Sequence, residues 1–313
     1  MSQQITEAFV QQYNTNVMML SQQQGSRLEG AVRKETQKGK SQFFDRIGQV
    51  AAVRRTGRHA GTPQLDTPHS RRMVVVEDYE WADLVDDQDK IRMLIDPTSQ
   101  YAMAAAWAFG RSKDDVIIAS ALAAAVAGET GSSSVTHPNT QKYAANDGAA
   151  FSNLNVRTLR AVKAMMDAKE VLGKRYIAFT SSQLQSLLSE TAVTSSDFNT
   201  VKALVQGEVN SFMGFEFIRL ERLNLTTSTT ATAATGVVGS GAGLTGTNRA
   251  VLAWADQGIL MSTGEDMVSK ISERDDKGYA TQVYSRMSIG GVRMEEEQVV
   301  EIKKMLSLKH SVT

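Results

Sequence analysis

The sequence predicts an α+β protein. Three observations carry this expectation: a basic, turn-rich stretch between strand-like runs at 49–53 and 73–76, an alanine-rich helical run over 97–127, and a helix–strand–helix–strand succession from residue 155 onward. The 313 residues suit roughly two domains and leave ample chain for a core.

Composition sets the outer limits. Thirty-four Lys and Arg balance 34 Asp and Glu, so the chain carries no formal net charge. That balance argues against a dedicated nucleic-acid binder, whose footprint is basic. It also removes repulsion between copies and so permits self-association. The absence of cysteine excludes disulfides, thiolate catalysis and zinc ribbons. No run reaches the ~18–20 apolar residues that span a bilayer, and Met1-Ser2-Gln3-Gln4 has neither a basic nor an apolar leader character. The expectation is a protein made and used in a cytosol, or released by lysis rather than secretion, without a membrane partner.

From the N-terminus, Ile5, Phe9, Tyr13 and Val17 recur at four-residue intervals and Leu20 closes the stripe. Residues 4–34 therefore read as an amphipathic helix, lying either on its own domain or as an arm on a neighbour. Residues 33–72 hold ten basic side chains, Arg33, Lys34, Lys38, Lys40, Arg46, Arg54, Arg55, Arg58, Arg71 and Arg72, against only Glu35, Asp45 and Asp66. A tip rich in turn formers, Thr56–Pro63, lies between the two strand-like runs, so the stretch reads as a long basic β-hairpin projecting from the body.

The next block reverses the sign. Residues 77–96 carry eight acids against Lys90 and Arg92. The two blocks either pair within one molecule or meet head to tail between copies. The second alternative sets Arg54, Arg55, Arg58, Arg71 and Arg72 against Glu80, Asp83, Asp86, Asp87 and Asp89. Each exposed pair contributes only about 0–1 kcal/mol, yet complementary fields set register and suppress wrong contacts.

In the helical run, Asp96 is placed to cap and Pro97 to occupy the first position. Tyr101, Ala104, Ala105 and Ala108 form a small-residue face. Gly110 interrupts it, Ser112-x-x-Asp115 resembles a capping box that restarts it, and Ile117, Ile118, Ala121, Leu122 and Ala125 continue it. Residues 128–149 read as a polar connector. Asn155-Val156 opens a helix to about Ala168 with Leu159, Val162 and Met166 on one face. A buried strand follows at 175–180, short helices at 181–188 and 200–204, and a glycine-bearing strand at 212–220. The Thr, Ser, Ala and Gly tract at 226–248 cannot bury enough apolar surface to order itself, so it is expected to be a mobile surface loop. Strands are expected at 250–255, 258–261, 279–287 and 291–294, with a hairpin turn at Asp275-Asp276-Lys277-Gly278 and an apolar close at 299–306.

No catalytic, cofactor-binding or metal-binding set emerges. Gly39-Lys40-Ser41 lacks the glycine five positions before Gly39, where Lys34 stands, so no phosphate cradle forms. Gly241-x-Gly243-x-x-Gly246 has the form of a dinucleotide fingerprint without its strand–turn–helix setting. His59, His69, His137 and His310 are scattered, and Asp86-Asp87-x-Asp89 lacks the glycine and distal glutamate of a calcium loop. Glu295-Glu296-Glu297 reads as a solvated face, and Asn224-Leu225-Thr226 as a sequon in form only. An enzyme with a carboxylate site that the sequence does not reveal stands as the reading from another class.

Taken in order, these segments resemble the major capsid proteins of tailed double-stranded-DNA bacteriophages. The segments that carry the likeness are Ile5–Lys34, Phe43–Val76, the helical run with Ala108-Phe109-Gly110-Arg111-Ser112-Lys113-Asp114-Asp115-Val116-Ile117-Ile118, and the closing Lys277–Met294. The likeness spans nearly the whole chain and rests on the order of the parts, because a shell protein has no catalytic signature.

The resemblance implies an N-terminal arm at 1–42, an extended loop (E-loop) at 43–76, and a peripheral domain at 77–149 with a spine helix at about 97–127. It further implies an axial domain at 150–270 carrying the 226–248 loop, and return strands at 271–313. It implies a non-enzymatic subunit that assembles with itself into pentamers and hexamers of an icosahedral shell around double-stranded DNA, without reading its sequence. The virion is then its location and the host cytoplasm its place of assembly. Because the arm begins at once, scaffolding is expected to be a separate protein; a portal is a further expected partner, and a decoration protein is left open. The alternative within the same fold is an encapsulin-like nanocompartment shell enclosing a cargo enzyme. No Lys–Asn cross-linking pair is assigned, since the loop tip offers arginines.

Overall fold

A computed structural model describes residues 22–58, 61–62, 64–85, 98–144, 154–188, 211–223, 225–226 and 248–305. The described residues form two compact units. One gathers 22–26, 77–85, 98–112 and 265–289, and the other 27–76, 113–188, 211–264 and 290–305, within those bounds.

The larger unit is built on a seven-stranded sheet whose main path runs β7 (Lys142–Ala144), β15 (Val299–Met305), β12 (Asn248–Ala255), β8 (Arg175–Phe179), β10 (Phe215–Arg219) and β9 (Ser211–Phe212), with β11 (Leu225–Thr226) also on β12. The strands β8 and β12 bury both faces. Ile177, Phe179, Val251, Ala253 and Ala255 join one core with Leu159, Val162 and Met166. Tyr176, Ala178, Leu252 and Trp254 join a second core with Leu28, Ala31, Ile117, Ile118 and Ala121. Strict alternation along each strand divides its side chains between the two.

The first core is covered by helix α2 (Val156–Asp167), whose N-cap Asn155 accepts from the Thr158 N–H at 2.8 Å. The second is covered by the C-terminal part of helix α1 (Thr98–Leu122) and by the chain at 28–32. That chain is tied down twice. The Asp114 carboxylate, fully buried, accepts from the backbone N–H groups of Arg27 and Leu28 at 3.0–3.1 Å. The Trp254 indole N–H donates to the Ala31 carbonyl at 2.8 Å, and the ring stacks on Tyr176. The chain then enters β1 (Arg33–Thr36), parallel to the first residues of β13 (Ile259–Arg274).

A four-stranded sheet in the same unit runs β2 (Ser41–Ile47), β3 (His69–Val75), β5 (Ala125–Ala127) and β6 (Ser133–Val135). The hairpin of β2 and β3 pairs from Ser41↔Val75 to Ile47↔His69. Gly290, in β14 (Ala280–Arg293), crosses the end of β3 so closely that a Cβ there would lie 2.3 Å from the Val75 carbonyl oxygen. Only glycine fits.

In the smaller unit, β4 (Glu77–Val85) pairs antiparallel with β14 from Ile289↔Glu77 to Thr281↔Val85, and the later part of β13 flanks β14 on its other side. Val85, Ala105, Phe109, Ala280, Val283, Met287 and Ile289 are its buried apolar residues among those described.

The structure corrects several expectations. Helix α1 does not break at Gly110. The glycine admits the backbone of Gly25, whose carbonyl carbon lies 2.4 Å from where a Cβ would stand. The helix ends at Leu122 instead of Ala127, because Ala125–Ala127 leaves to pair with β3 and β6. The Arg293 guanidinium takes the freed carbonyls of Ala121 and Ala123 at 2.7 and 2.8 Å. The run 49–53 is not a strand: the hairpin ladder closes with Gly48 N–H donating to the Pro68 carbonyl, and Pro68 has no N–H to return. Strands separately expected at 279–287 and 291–294 are one, β14. Residues 22–34 hold a short 3-10 turn at Glu29–Ala31 and the start of β1 in place of helix. The apolar stripe Ile5–Leu20, the cap Asp96, the helix at 200–204 and nearly all of the 226–248 tract lie outside the described residues.

Removing the Asp114 carboxylate leaves two backbone N–H groups without their acceptor. Asp114→Ala is therefore expected to cost about 3 kcal/mol, read as a lowered urea midpoint with an unchanged slope, whereas Asp115→Ala, at an exposed ion pair with Arg222, costs under about 1 kcal/mol.

Candidate functional site

The hairpin divides chemically at Gly48 and Pro68. Below them, the arginines are engaged within the chain. Arg71 pairs with Asp45 across the ladder at 2.9 Å and lies over the Phe43 ring. Arg72 is 3% exposed and meets Glu296 at 2.5 Å. Arg46 meets the other oxygen of Glu296 at 3.5 Å and donates to the Met294 carbonyl. Arg33 and Lys34 pair with Glu35 and Glu29 at 2.7 and 3.0 Å.

Above them the tip is exposed. Val50, Val53 and Leu65 each show more than half their surface to solvent, as does Ile47 at the last pair of the ladder. Arg55 donates to the carbonyls of Gly57 and Arg58 and so shapes the turn. Among the described residues, Arg54, Arg55 and Arg58 make no ion pair.

The ten residues singled out by charge therefore separate. Arg54, Arg55 and Arg58 stand at the tip without an ion pair among the described residues. Arg71 and Arg72 do not join them: strand pairing sets Arg71 opposite Asp45, and burial places Arg72 on Glu296. On β4, Glu80 accepts from the Tyr284 hydroxyl at 3.1 Å and Asp83 from the Leu84 N–H at 2.8 Å. Both are exposed, and neither makes an ion pair among the described residues. Asp86, Asp87 and Asp89 lie outside the described residues.

Charge counting missed a second cluster, at the foot of the hairpin. Glu296, read from sequence as part of a solvated face, is the meeting point of Arg46, Arg72 and Arg293. The only sequence cue was the arginine three residues before it. Nearby, His137 is 5% exposed and neither ring nitrogen finds a well-formed hydrogen bond. Its pKa is lowered to about 4, first by burial and then by the charges of Arg293 and Lys142, which Gln141 and Glu296 only partly offset.

A groove of about 430 Å³ opens beside β3, where pairing with β5 is limited to Arg72↔Ala127. Asp45, His69, Arg71 and Glu129 line it, but Arg71 already holds Asp45. Among the described residues no group of three or more His, Asp or Glu is placed to hold a metal, and no helix is long and apolar enough to cross a membrane.

An exposed charged ribbon on a rigid foot, joined to a two-faced sheet, has the character of a subunit that binds its own kind. A family model described as phage capsid protein matches residues 5–305. The fold is similar to that of the cyanophage P-SCSP1u capsid, with TM-score 0.70, 18% identity and coverage of 95% of this chain and 93% of that one. It is also similar to the cyanophage Pam1 capsid, with TM-score 0.72, 13% identity and coverage of 97% and 98%. The capsid of Ralstonia phage GP4 gives TM-score 0.72, 12% identity and coverage of 98% and 97%. No curated protein sequence matches the chain.

The chain belongs to the phage capsid protein family. It is a structural subunit of a virion shell, not an enzyme, and its α+β architecture is that of tailed-phage capsids.

His137 makes stability depend on pH. The unfolded chain binds its proton near 6.5, the folded one near 4. The stabilisation is complete above about 6.5, is lost progressively as pH falls, and is gone below about 4, a change of about 3 kcal/mol. His137→Phe should flatten the dependence of the urea midpoint on pH across that window.

Proposed function

We propose that the hairpin tip is the part that grips an adjacent copy, with Arg54, Arg55 and Arg58 facing the acidic stretch that begins at Glu80 and Asp83 of that copy and continues through Asp86, Asp87 and Asp89. One observation carries it: the arginines of the hairpin foot are engaged within the chain, while those of the tip have no ionic partner among the described residues and stand beside exposed Val50, Val53 and Leu65. Exposed apolar and cationic surface on one ribbon suits a contact that is weak singly and multiplied by shell closure.

On this reading the parts take the roles that the family resemblance implies. Residues 1–42 are the arm, 43–76 the extended loop, 77–149 the peripheral domain with its spine helix, 150–270 the axial domain, and 271–313 the return strands. Copies form the pentamers and hexamers of an icosahedral shell in the host cytoplasm. The shell encloses double-stranded DNA without sequence-specific contact and uses a separate scaffolding protein and a portal.

Reversing Arg54, Arg55 and Arg58 to Glu together should leave soluble, folded protein and abolish regular particles in negative-stain images. Adding Glu80→Arg and Asp83→Arg should recover some assembly. Normal particles from the triple variant would sink the charge account.

A further inference from the structure

We propose that the guanidinium cluster at the foot of the hairpin is a binding site for a small oxyanion of the phosphate or sulfate class. One carboxylate serves three cations there. Glu296 Oε1 accepts from Arg72 at 2.5 Å and lies 3.9 Å from Arg293 Nε, and Oε2 lies 3.5 Å from Arg46. Arg72 and Arg293 are 3% and 0% exposed, so neither charge is neutralised by water. The Nε–H groups of both are buried without a hydrogen-bond acceptor.

The adjacent carboxylates do not make up the deficit. Glu295 accepts from Gln298, and Glu297 pairs with Lys169. Like charges held together in a dry place raise the free energy of the fold until an anion joins them. The terminal nitrogens of Arg293 are already taken by the carbonyls of Ala121, Ala123 and Val135, so the donors left for an oxyanion's oxygens are the two unpartnered Nε–H groups. The cluster has a route for entry, since Arg46 and Glu296 are its partly exposed members. The positive field is felt next door, where Arg293 helps keep His137 neutral. The inference does not depend on which surface meets a neighbouring copy.

The test is thermal unfolding of the full-length unassembled subunit, with phosphate exchanged for chloride at constant ionic strength. Wild type should show a saturable rise in melting temperature of roughly 2–4 °C. Glu296→Gln removes the competing carboxylate. It should melt lower in chloride and gain more from phosphate, whereas Arg72→Gln should gain less than wild type. If either variant fails to fold, phosphorus NMR on wild type decides: the phosphate line should broaden with the protein and sharpen again when sulfate is added. A short DNA duplex that sharpens it equally names a phosphodiester backbone as the source, and a duplex without effect names the free ion. An unbroadened line, or a non-saturating response equal in wild type and Glu296→Gln, overturns the proposal.

Discussion

One short piece of chain, residues 27–36, is held by a buried carboxylate and a buried indole, and the larger unit depends on that grip. Asp114 takes its N–H groups and Trp254 its carbonyl, while Leu28 and Ala31 fill the second core. Without it, the Tyr176 and Trp254 face of the central sheet would be open to water along the strip that Leu28, Ala31 and Val32 now cover. Burying such a face contributes on the order of 25 cal/mol per Å², which makes the segment part of the core even though it carries no regular helix. The same segment delivers the chain to β1 and so sets where the hairpin begins.

From that start the hairpin is stiff at its foot. Val74 and Phe44 pack with Leu260, Val292 and Met294. Gly290 lets β14 cross against the Val75 carbonyl, and Glu296 ties both strands to the chain after β14 through Arg46 and Arg72. Local geometry thus separates a fixed lever from a free end. The separation is chemical as well, because arginines of the same sequence block meet carboxylates at one end and, among the described residues, none at the other.

Much of this was legible beforehand where the pattern was local. The cap at Asn155, the apolar face of α2, the buried strand at 175–179 and the turn at Asp275–Gly278 all follow from side chains within a few residues of one another. What escaped needed distant partners. Gly110 reads as a break until Gly25 is placed against it. Ala125–Ala127 looks helical until β3 and β6 claim it. Arg71, Arg72 and Arg54 are indistinguishable as letters, and only strand register and burial divide them. Glu296 sits in a run of three glutamates of which it alone meets three guanidinium groups, a difference made by residues more than 150 positions away as well as by Arg293.

The unequal wetting of the hairpin's charges has a bearing on how mobile ions act on this molecule. Counter-ions gather around water-exposed guanidinium groups and weaken their attractions within about 10 Å at 0.1 M. The pair that Arg72 makes with Glu296 is largely buried and is screened far less. In the assembly proposed above, brine would loosen the hold of one copy on the next while each polypeptide kept its own shape, so that dissolved building blocks could be stockpiled intact and re-formed by dilution.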